Sequence, residues 1–360
     1  MAKILMKGNE AIAEAAVRAG CRFFAGYPIT PQNEIPEYLS WRLPEVGGVF
    51  VQGESEVASI NMVYGAAATG CRAMTSSSGP GISLKAEGIS YLAGTQLPAV
   101  IVNISRGGPG LGSIQPAQQD YLQATKALGH GGFRTMVFAP ATLQEAVDIT
   151  YNAWEYAERD RNPVMILMDG CLGAIMEQVE FPEMKPADRA GTAKWDINKR
   201  EIPEGKAWSR RGLLPYFPEA LLKLNNQKHK KMIENWEKND VQVEEFMIED
   251  AEYVIVAYGI SARVSKEAIL KLREEGVKIG LIRPITLMPY PKASLRNLNY
   301  DQVKGIIDVE LAIPAQMRDD IALEVKDRAP IYEICESGGI LFTDEKIYTD
   351  IKKIIAGGVK

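Results

Sequence analysis

Residues 72–104 read RAMTSSSGPGISLKAEGISYLAGTQLPAVIVNI, and this stretch decides the fold. Positions 72–76 suit a short strand, and the serines and glycines of 77–81 suit a tight turn. Positions 82–92 carry apolar residues at helical spacing, and AVIVNI at 99–104 is a run fit for a buried strand. Strand, turn, helix and strand in that order make a βαβ unit, whose strands pair in parallel. The rhythm continues on both sides. Toward the N-terminus lie a helix at 7–19 ended by Gly20, a strand at 22–25, a helix at 31–42, a strand at 48–52 and an Ala-rich helix at 56–68. Toward the C-terminus lie a helix at 118–128, a strand at 135–138, an amphipathic helix at 143–158 and a strand at 164–168. Six strands fit one doubly wound domain, predicted to occupy residues 1–182.

The character changes at 183–251, where Pro186, Pro203, Pro215 and Pro218 stand among few aliphatic residues. This reads as a polar linker arm with a charged, exposed helix near 226–249. The α/β rhythm resumes over 252–360, with strands at 253–257, 278–282, 305–309 and 331–335 and helices at 261–275, 313–326 and 344–355. The expected fold class is therefore α/β, with two parallel-sheet domains joined by an arm.

Composition excludes several function classes. With 41 Lys+Arg against 46 Asp+Glu the net charge is −5, which disfavours a nucleic acid or an anionic membrane as partner. Cys21, Cys71, Cys171 and Cys335 form no C-x-x-C pair, so no local zinc or iron–sulfur site is expected. His130 and His229 offer little for histidine-based metal or triad chemistry. The N-terminus has no apolar stretch ahead of a cleavage site, and no apolar run approaches the ~18–20 residues of a membrane span. A cytoplasmic location is expected.

In open parallel sheets, ligands bind beyond the carboxyl ends of the strands, and four segments there draw attention. In Gly26-Tyr27-Pro28-Ile29-Thr30-Pro31, Thr30 fits a helix N-cap with proline behind it, or a hydroxyl aimed at a ligand. In Gln52-Gly53-Glu54-Ser55-Glu56, the acidic residues suit a first helical turn, or a buried carboxylate that holds a heterocycle nitrogen. Thr75-Ser76-Ser77-Ser78-Gly79-Pro80-Gly81 is either a tight turn or a row of amides for an anion. In Ser105-Arg106-Gly107-Gly108-Pro109-Gly110-Leu111-Gly112, an arginine directly after an apolar strand suits a carboxylate or phosphate, or is a plain surface cation before a flexible loop. No G-x-x-x-x-G-K-[ST], G-x-G-x-x-G or G-x-S-x-G arrangement occurs in the required context.

Taken together, GYPITP, Glu56 ahead of ASINMVYGA, SSSGPG and Arg106 resemble the α (pyrimidine-binding) subunit of 2-oxoacid:ferredoxin oxidoreductases, a thiamine-diphosphate-dependent family. The resemblance covers nearly the whole chain. It implies a thiamine-diphosphate-binding pyrimidine domain followed by a transketolase C-terminal-like domain. GYPITPQ and NISRGGPGLGSIQP are most similar to subunits acting on branched-chain 2-oxoacids such as 3-methyl-2-oxobutanoate, with 2-oxoglutarate enzymes next.

The resemblance implies roles residue by residue. Glu56 matches the glutamate that hydrogen-bonds N1′ of the cofactor's aminopyrimidine and thereby promotes loss of the thiazolium C2 proton. Thr30 and Arg106 match positions that meet the 2-oxoacid's carboxylate or carbonyl. Pro28, Ile29, Ser78, Gly79 and Gly81 would lie beside the pyrimidine or substrate. The implied reaction is oxidative decarboxylation with coenzyme A to acyl-CoA, CO2 and reduced ferredoxin. The family's diphosphate and Mg2+ motif resembles G-D-G with a later Asn; Met168-Asp169-Gly170 with Asn198 departs from it and is set aside. The resemblance therefore implies partners: a diphosphate- and Mg2+-binding β subunit, a γ subunit, a ferredoxin-like iron–sulfur δ subunit, and ferredoxin. The alternatives from other classes are a non-redox, transketolase-like half-enzyme and a non-catalytic assembly subunit whose glycine-rich loops only dock partners.

Overall fold

A computed structural model describes residues 3–186 and 219–357. Its main sheet runs in the order Thr286–Met288, Met136–Phe138, Val164–Asp169, Val100–Gly107, Ala73–Ser77, Phe23–Gly26, Val49–Gln52. The six strands expected from sequence pair with one another in parallel. Successive residues of Val100–Gly107 serve opposite faces. Val100, Val102 and Ile104 pack on one side with Phe24, Leu39 and Trp154, while Ile101 packs on the other with Ile60, Ile82 and Leu92. A strand covered on both faces must be apolar throughout, which is why AVIVNI does not alternate.

Two strands of this sheet do not follow from the βαβ rhythm. Ser113–Pro116 turns back against Val100–Gly107, and Thr286–Met288 reaches over from the second half of the chain to pair antiparallel with Met136–Phe138. The second sheet has the order Val243–Phe246, Ile279–Pro284, Tyr253–Val256, Gly305–Glu310, Ile331–Cys335. Its last four strands are parallel and Val243–Phe246 is an antiparallel edge. The charged helix near 226–249 is thus found earlier, at Glu219–Asn239, and residues placed in the arm by sequence contribute a strand. That helix is anchored by Trp236, which is buried and donates Nε1–H to Asp160 Oδ2 at 2.7 Å. No described helix is long and apolar enough to cross a membrane.

The helix expected at 118–128 shortens to Tyr121–Thr125, because Gln118 and Gln119 are spent on contacts with the second half. Gln118 N–H donates to Leu311 O at 2.8 Å, and Gln118 O accepts from Tyr258 Oη. The Gln118 side chain donates to Tyr258 O and accepts from Leu311 N–H and Ser261 Oγ, all in the interior. Tyr121 Oη donates to Asp320 at 2.5 Å and Leu122 N–H to Gln316 Oε1 at 3.0 Å. The helix expected at 313–326 accordingly starts late, at Arg318–Val325.

On the same face, Asp308 and Glu310 are fully buried at the end of their strand. Burial raises both carboxyls above the usual range, Asp308 further because Glu310 stands beside it. Glu310 Oε1 accepts Met317 N–H at 2.7 Å.

Replacing Gln118 with Ala strands a carbonyl, a hydroxyl and an amide in the interior. Gln118→Ala should cost about 2–4 kcal/mol in denaturant unfolding, whereas Gln119→Ala, at the exposed side of the same segment, should cost under about 1 kcal/mol.

Candidate active site

The carboxyl ends of Phe23–Gly26, Val49–Gln52, Ala73–Ser77 and Val100–Gly107 open on one edge of the main sheet, and the four segments singled out in the sequence all lie there. Gly53 N–H donates to Gly26 O at 2.9 Å and ties the first two loops together. Ser55 caps the next helix, its Oγ accepting Ala58 N–H at 3.1 Å. Glu56 therefore occupies the first helical turn. It is 7% exposed, which separates it from a solvated capping acid.

The wall behind Glu56 is the helix Gly79–Thr95. A Cβ at Gly81 would overlap Ser77 Oγ and stand 2.8 Å from Glu56 Oε1. A Cβ at Gly88 would stand 2.5 Å from Ile60 Cγ2. The two glycines let the helices approach until the carboxylate is pressed against backbone. Between them on the same helical face lies Lys85, wholly buried, with Nζ 3.4 Å from Glu56 O. Burial lowers its ammonium to about 8, partly offset by the Glu56 charge.

The helix expected from residue 31 begins instead at Glu34, with Asn33 at its N-cap. Asn9 Nδ2 holds both Pro31 O and Glu34 Oε2 at 2.8 Å, keeping the 30–33 turn apart from the helix. Thr30 is thus not the cap; its Oγ1 accepts from Asn33 Nδ2 at 3.4 Å. Pro28 is exposed, and Ile29 and Thr30 are half-buried. Behind them Gln32 is buried, bridging Tyr27 O and Ser76 Oγ.

Arg106 is 6% exposed and is not a surface cation. Its guanidinium donates to Thr30 O and Leu111 O, each at 3.0 Å, and its Nε–H is buried without a partner. Two of five donors are used, so the fork ties Thr30 to the glycine-rich loop and retains donors for an anion.

Asp120 escaped sequence reasoning, and it changes the reading of the SSSGPG turn. Its carboxylate is buried against Gly79 at the helix N-terminus, 3.3 Å from where a Cβ would stand, and faces the Gly79 amide. Asn103 Nδ2 donates to it at 3.1 Å. Burial raises the carboxyl above the usual range, while Asn103, the Gly79 amide and the Arg106 charge oppose that rise. The N-terminus of this helix is thus already met by an anion of the chain itself. The polar Asn103 inside AVIVNI was the available signal. Ser78 and Gly79 are buried beside Asp120, and the Ser77 and Ser78 hydroxyls have no partner.

The buried carboxylate of Glu56, its glycine wall and the spare donors of Arg106 fit a neutral heterocycle beside an anionic substrate. They do not supply a diphosphate or metal site. Asp169 Oδ1 accepts the amides of Cys171 and Leu172 at 2.9 and 3.1 Å as a helix cap, and burial moves its carboxyl up to about 6. Asn198 lies outside the described residues. Among those described, no group of three His, Cys, Asp or Glu could hold a metal ion.

Comparison with known proteins gives a consistent picture. Residues 14–240 match the family described as pyruvate flavodoxin/ferredoxin oxidoreductase, thiamine diP-bdg, and residues 251–347 match pyruvate:ferredoxin oxidoreductase core domain II. The chain is 48% identical to ketoisovalerate oxidoreductase subunit VorB of Methanothermobacter thermautotrophicus, over 90% of each chain. It is 34% identical to 2-oxoglutarate synthase subunit KorA of Methanocaldococcus jannaschii, over 95% of this chain and 97% of that one. Among solved structures, 2-oxoglutarate:ferredoxin oxidoreductase from Magnetococcus marinus, determined with 2-oxoglutarate, coenzyme A and succinyl-CoA bound, superposes with a TM-score of 0.84 at 29% identity. That match takes in 98% of this chain and 65% of the solved one.

The glycine wall yields a direct test. Gly88→Ala must push Ile60 aside, so it should destabilise the chain by about 1–3 kcal/mol, read from the midpoint of denaturant unfolding. Gly65→Ala, where a Cβ meets nothing within 4 Å, should be neutral or slightly stabilising.

Proposed function

Because this chain belongs to the 2-oxoacid:ferredoxin oxidoreductase family, as an α subunit with a thiamine-diphosphate-binding domain followed by core domain II, we propose that it provides the pyrimidine half of the active site. In this reading the complex converts 3-methyl-2-oxobutanoate and coenzyme A to the branched acyl-CoA, CO2 and reduced ferredoxin. The observation that carries it is the buried Glu56 carboxylate, pressed on Gly81 at the sheet edge where Arg106 and Thr30 also meet.

Thiamine diphosphate, when bound, supplies the electron-sink chemistry that releases CO2 from a 2-oxoacid. The chain's own residues position and polarise. Glu56 accepts a hydrogen bond at pyrimidine N1′ and governs the proton there. Pro28, Ile29, Ser78 and Gly79 would lie beside the pyrimidine. Arg106 pairs its remaining N–H donors with the substrate carboxylate, while the Thr30 hydroxyl serves the carboxylate or ketone. Because Arg106 also grips Thr30 O, substrate contact and loop position are set by one side chain.

The same reading assigns the diphosphate and Mg2+ to a partner β subunit and the iron–sulfur clusters to other subunits of γ and δ type. Ferredoxin then takes the electrons in the cytoplasm. The branched substrate follows the relative at 48% identity. A 2-oxoglutarate specificity is the second reading, favoured by the 34%-identical relative and the 0.84 structural match.

Two measurements on the purified complex test these readings. Glu56→Gln should lower coenzyme-A-dependent reduction of a low-potential dye by roughly 10²-fold or more; a near-normal rate would remove Glu56 from the mechanism. In the unaltered complex, kcat/KM for 3-methyl-2-oxobutanoate should exceed that for 2-oxoglutarate by at least ~10-fold. The reverse order would establish the second reading, and turnover without an electron acceptor would indicate non-redox chemistry.

A further inference from the structure

Lys85 has no evident structural reason to be a lysine. It lies on the face of Gly79–Thr95 that packs on Glu56–Ala68, between Gly81 against Glu56 and Gly88 against Ile60. Its side chain is wholly buried. Its ammonium makes one hydrogen bond, 3.4 Å long, to Glu56 O, and among the described residues it forms no ion pair within 4.0 Å. It also lies by the N-terminal turn of Glu56–Ala68, whose free amides repel a cation. A methionine would fill the same volume without the desolvation of a charge.

The charge acting on this ammonium is that of Glu56. The other carboxylate at this end of the helix, Asp120, is at Gly79 and engaged by Asn103 and the Gly79 amide. The strand leading into the helix contributes Ser77, a hydroxyl without charge.

We propose that Lys85 is a positioning residue, whose buried ammonium donates to the main-chain O of Glu56 and holds the first turn of Glu56–Ala68 so that the carboxylate stays against Gly81 and can accept the pyrimidine N1′ hydrogen bond. This rests on the reading of Glu56 given above. Lys85 touches neither cofactor nor substrate; it acts through Glu56.

The test uses the intact complex with Lys85→Met and Glu56→Gln, read in three ways. First, the cofactor-free wild type should gain stability as pH rises from about 8 toward ~10.4, because there the native state has shed the buried proton that the unfolded chain still binds. Lys85→Met should abolish that rise. In Glu56→Gln, where Lys85 loses its countercharge, the rise should begin at lower pH. Second, Lys85→Met should lower kcat roughly 10-fold or more while KM for the 2-oxoacid stays within about 2-fold, because a displaced Glu56 affects the chemical step and not substrate binding. Third, the same variant should bind thiamine diphosphate several-fold more weakly at pH 7, measured by fluorescence quenching.

An unchanged kcat with unchanged cofactor affinity in a folded Lys85→Met complex would overturn the proposal. If Lys85→Met does not assemble, identical pH–stability curves for wild type and Glu56→Gln would overturn it instead. A Glu56→Gln complex with a normal rate removes the function assigned to Glu56, whereas an impaired Glu56→Gln beside an indifferent Lys85→Met removes the Lys85 proposal alone.

Discussion

The hydrogen bonds of Gln118 are the constraint on which the rest of the arrangement depends. Its main chain and side chain together satisfy Leu311, Tyr258 and Ser261 across the boundary between the two halves. Buried amides of this kind tolerate no vacancy, since each abandoned partner costs its full desolvation. With Gln118 fixed, its neighbours are directed alternately. Gln119 Oε1 accepts Gly108 N–H in the loop after Arg106, Asp120 meets Asn103 and the start of the Gly79–Thr95 helix, and Tyr121 returns to Asp320. One short segment therefore sets the second sheet, the glycine-rich loop and the wall behind Glu56 in a common frame.

Within that frame, charge is distributed with little redundancy. Arg106 holds two backbone carbonyls and keeps donors in hand. Asp120 saturates the positive end of a helix that would otherwise compete for an anion. Glu56 is left as a buried carboxylate against Gly81 at this edge, with a buried cation at its main chain. Preorganised groups of this sort act on a reacting centre without having to reorient, because the surrounding packing holds them in place.

The parallel sheets were legible because both are built from runs with unambiguous periods, such as AVIVNI and the helix at 344–355. Glu56, Thr30 and Arg106 were visible too, since each follows a strand end. What escaped notice was set by tertiary contact. Thr286–Met288 is a strand because Met136–Phe138 offers an edge, and three residues carry no period of their own. Residues 118–120 lose their helix to Gln118's partners in the other half. Asn33, and not Thr30, begins its helix because Asn9, some twenty residues earlier, holds Pro31 and Glu34. Asp120 and Lys85 have no local signature; their meaning comes from Gly79, Glu56 and the crossing of two helices.

The Thr286–Met288 strand has a consequence for how the chain is made. An uncovered sheet edge is a template for pairing with any other exposed strand. As the chain leaves the ribosome, the first sheet is complete except at Met136–Phe138, and the segment that shields this edge is synthesised much later. The nascent N-terminal half must be kept from self-association through that interval. Expressed alone, it would keep the Met136–Phe138 edge uncovered.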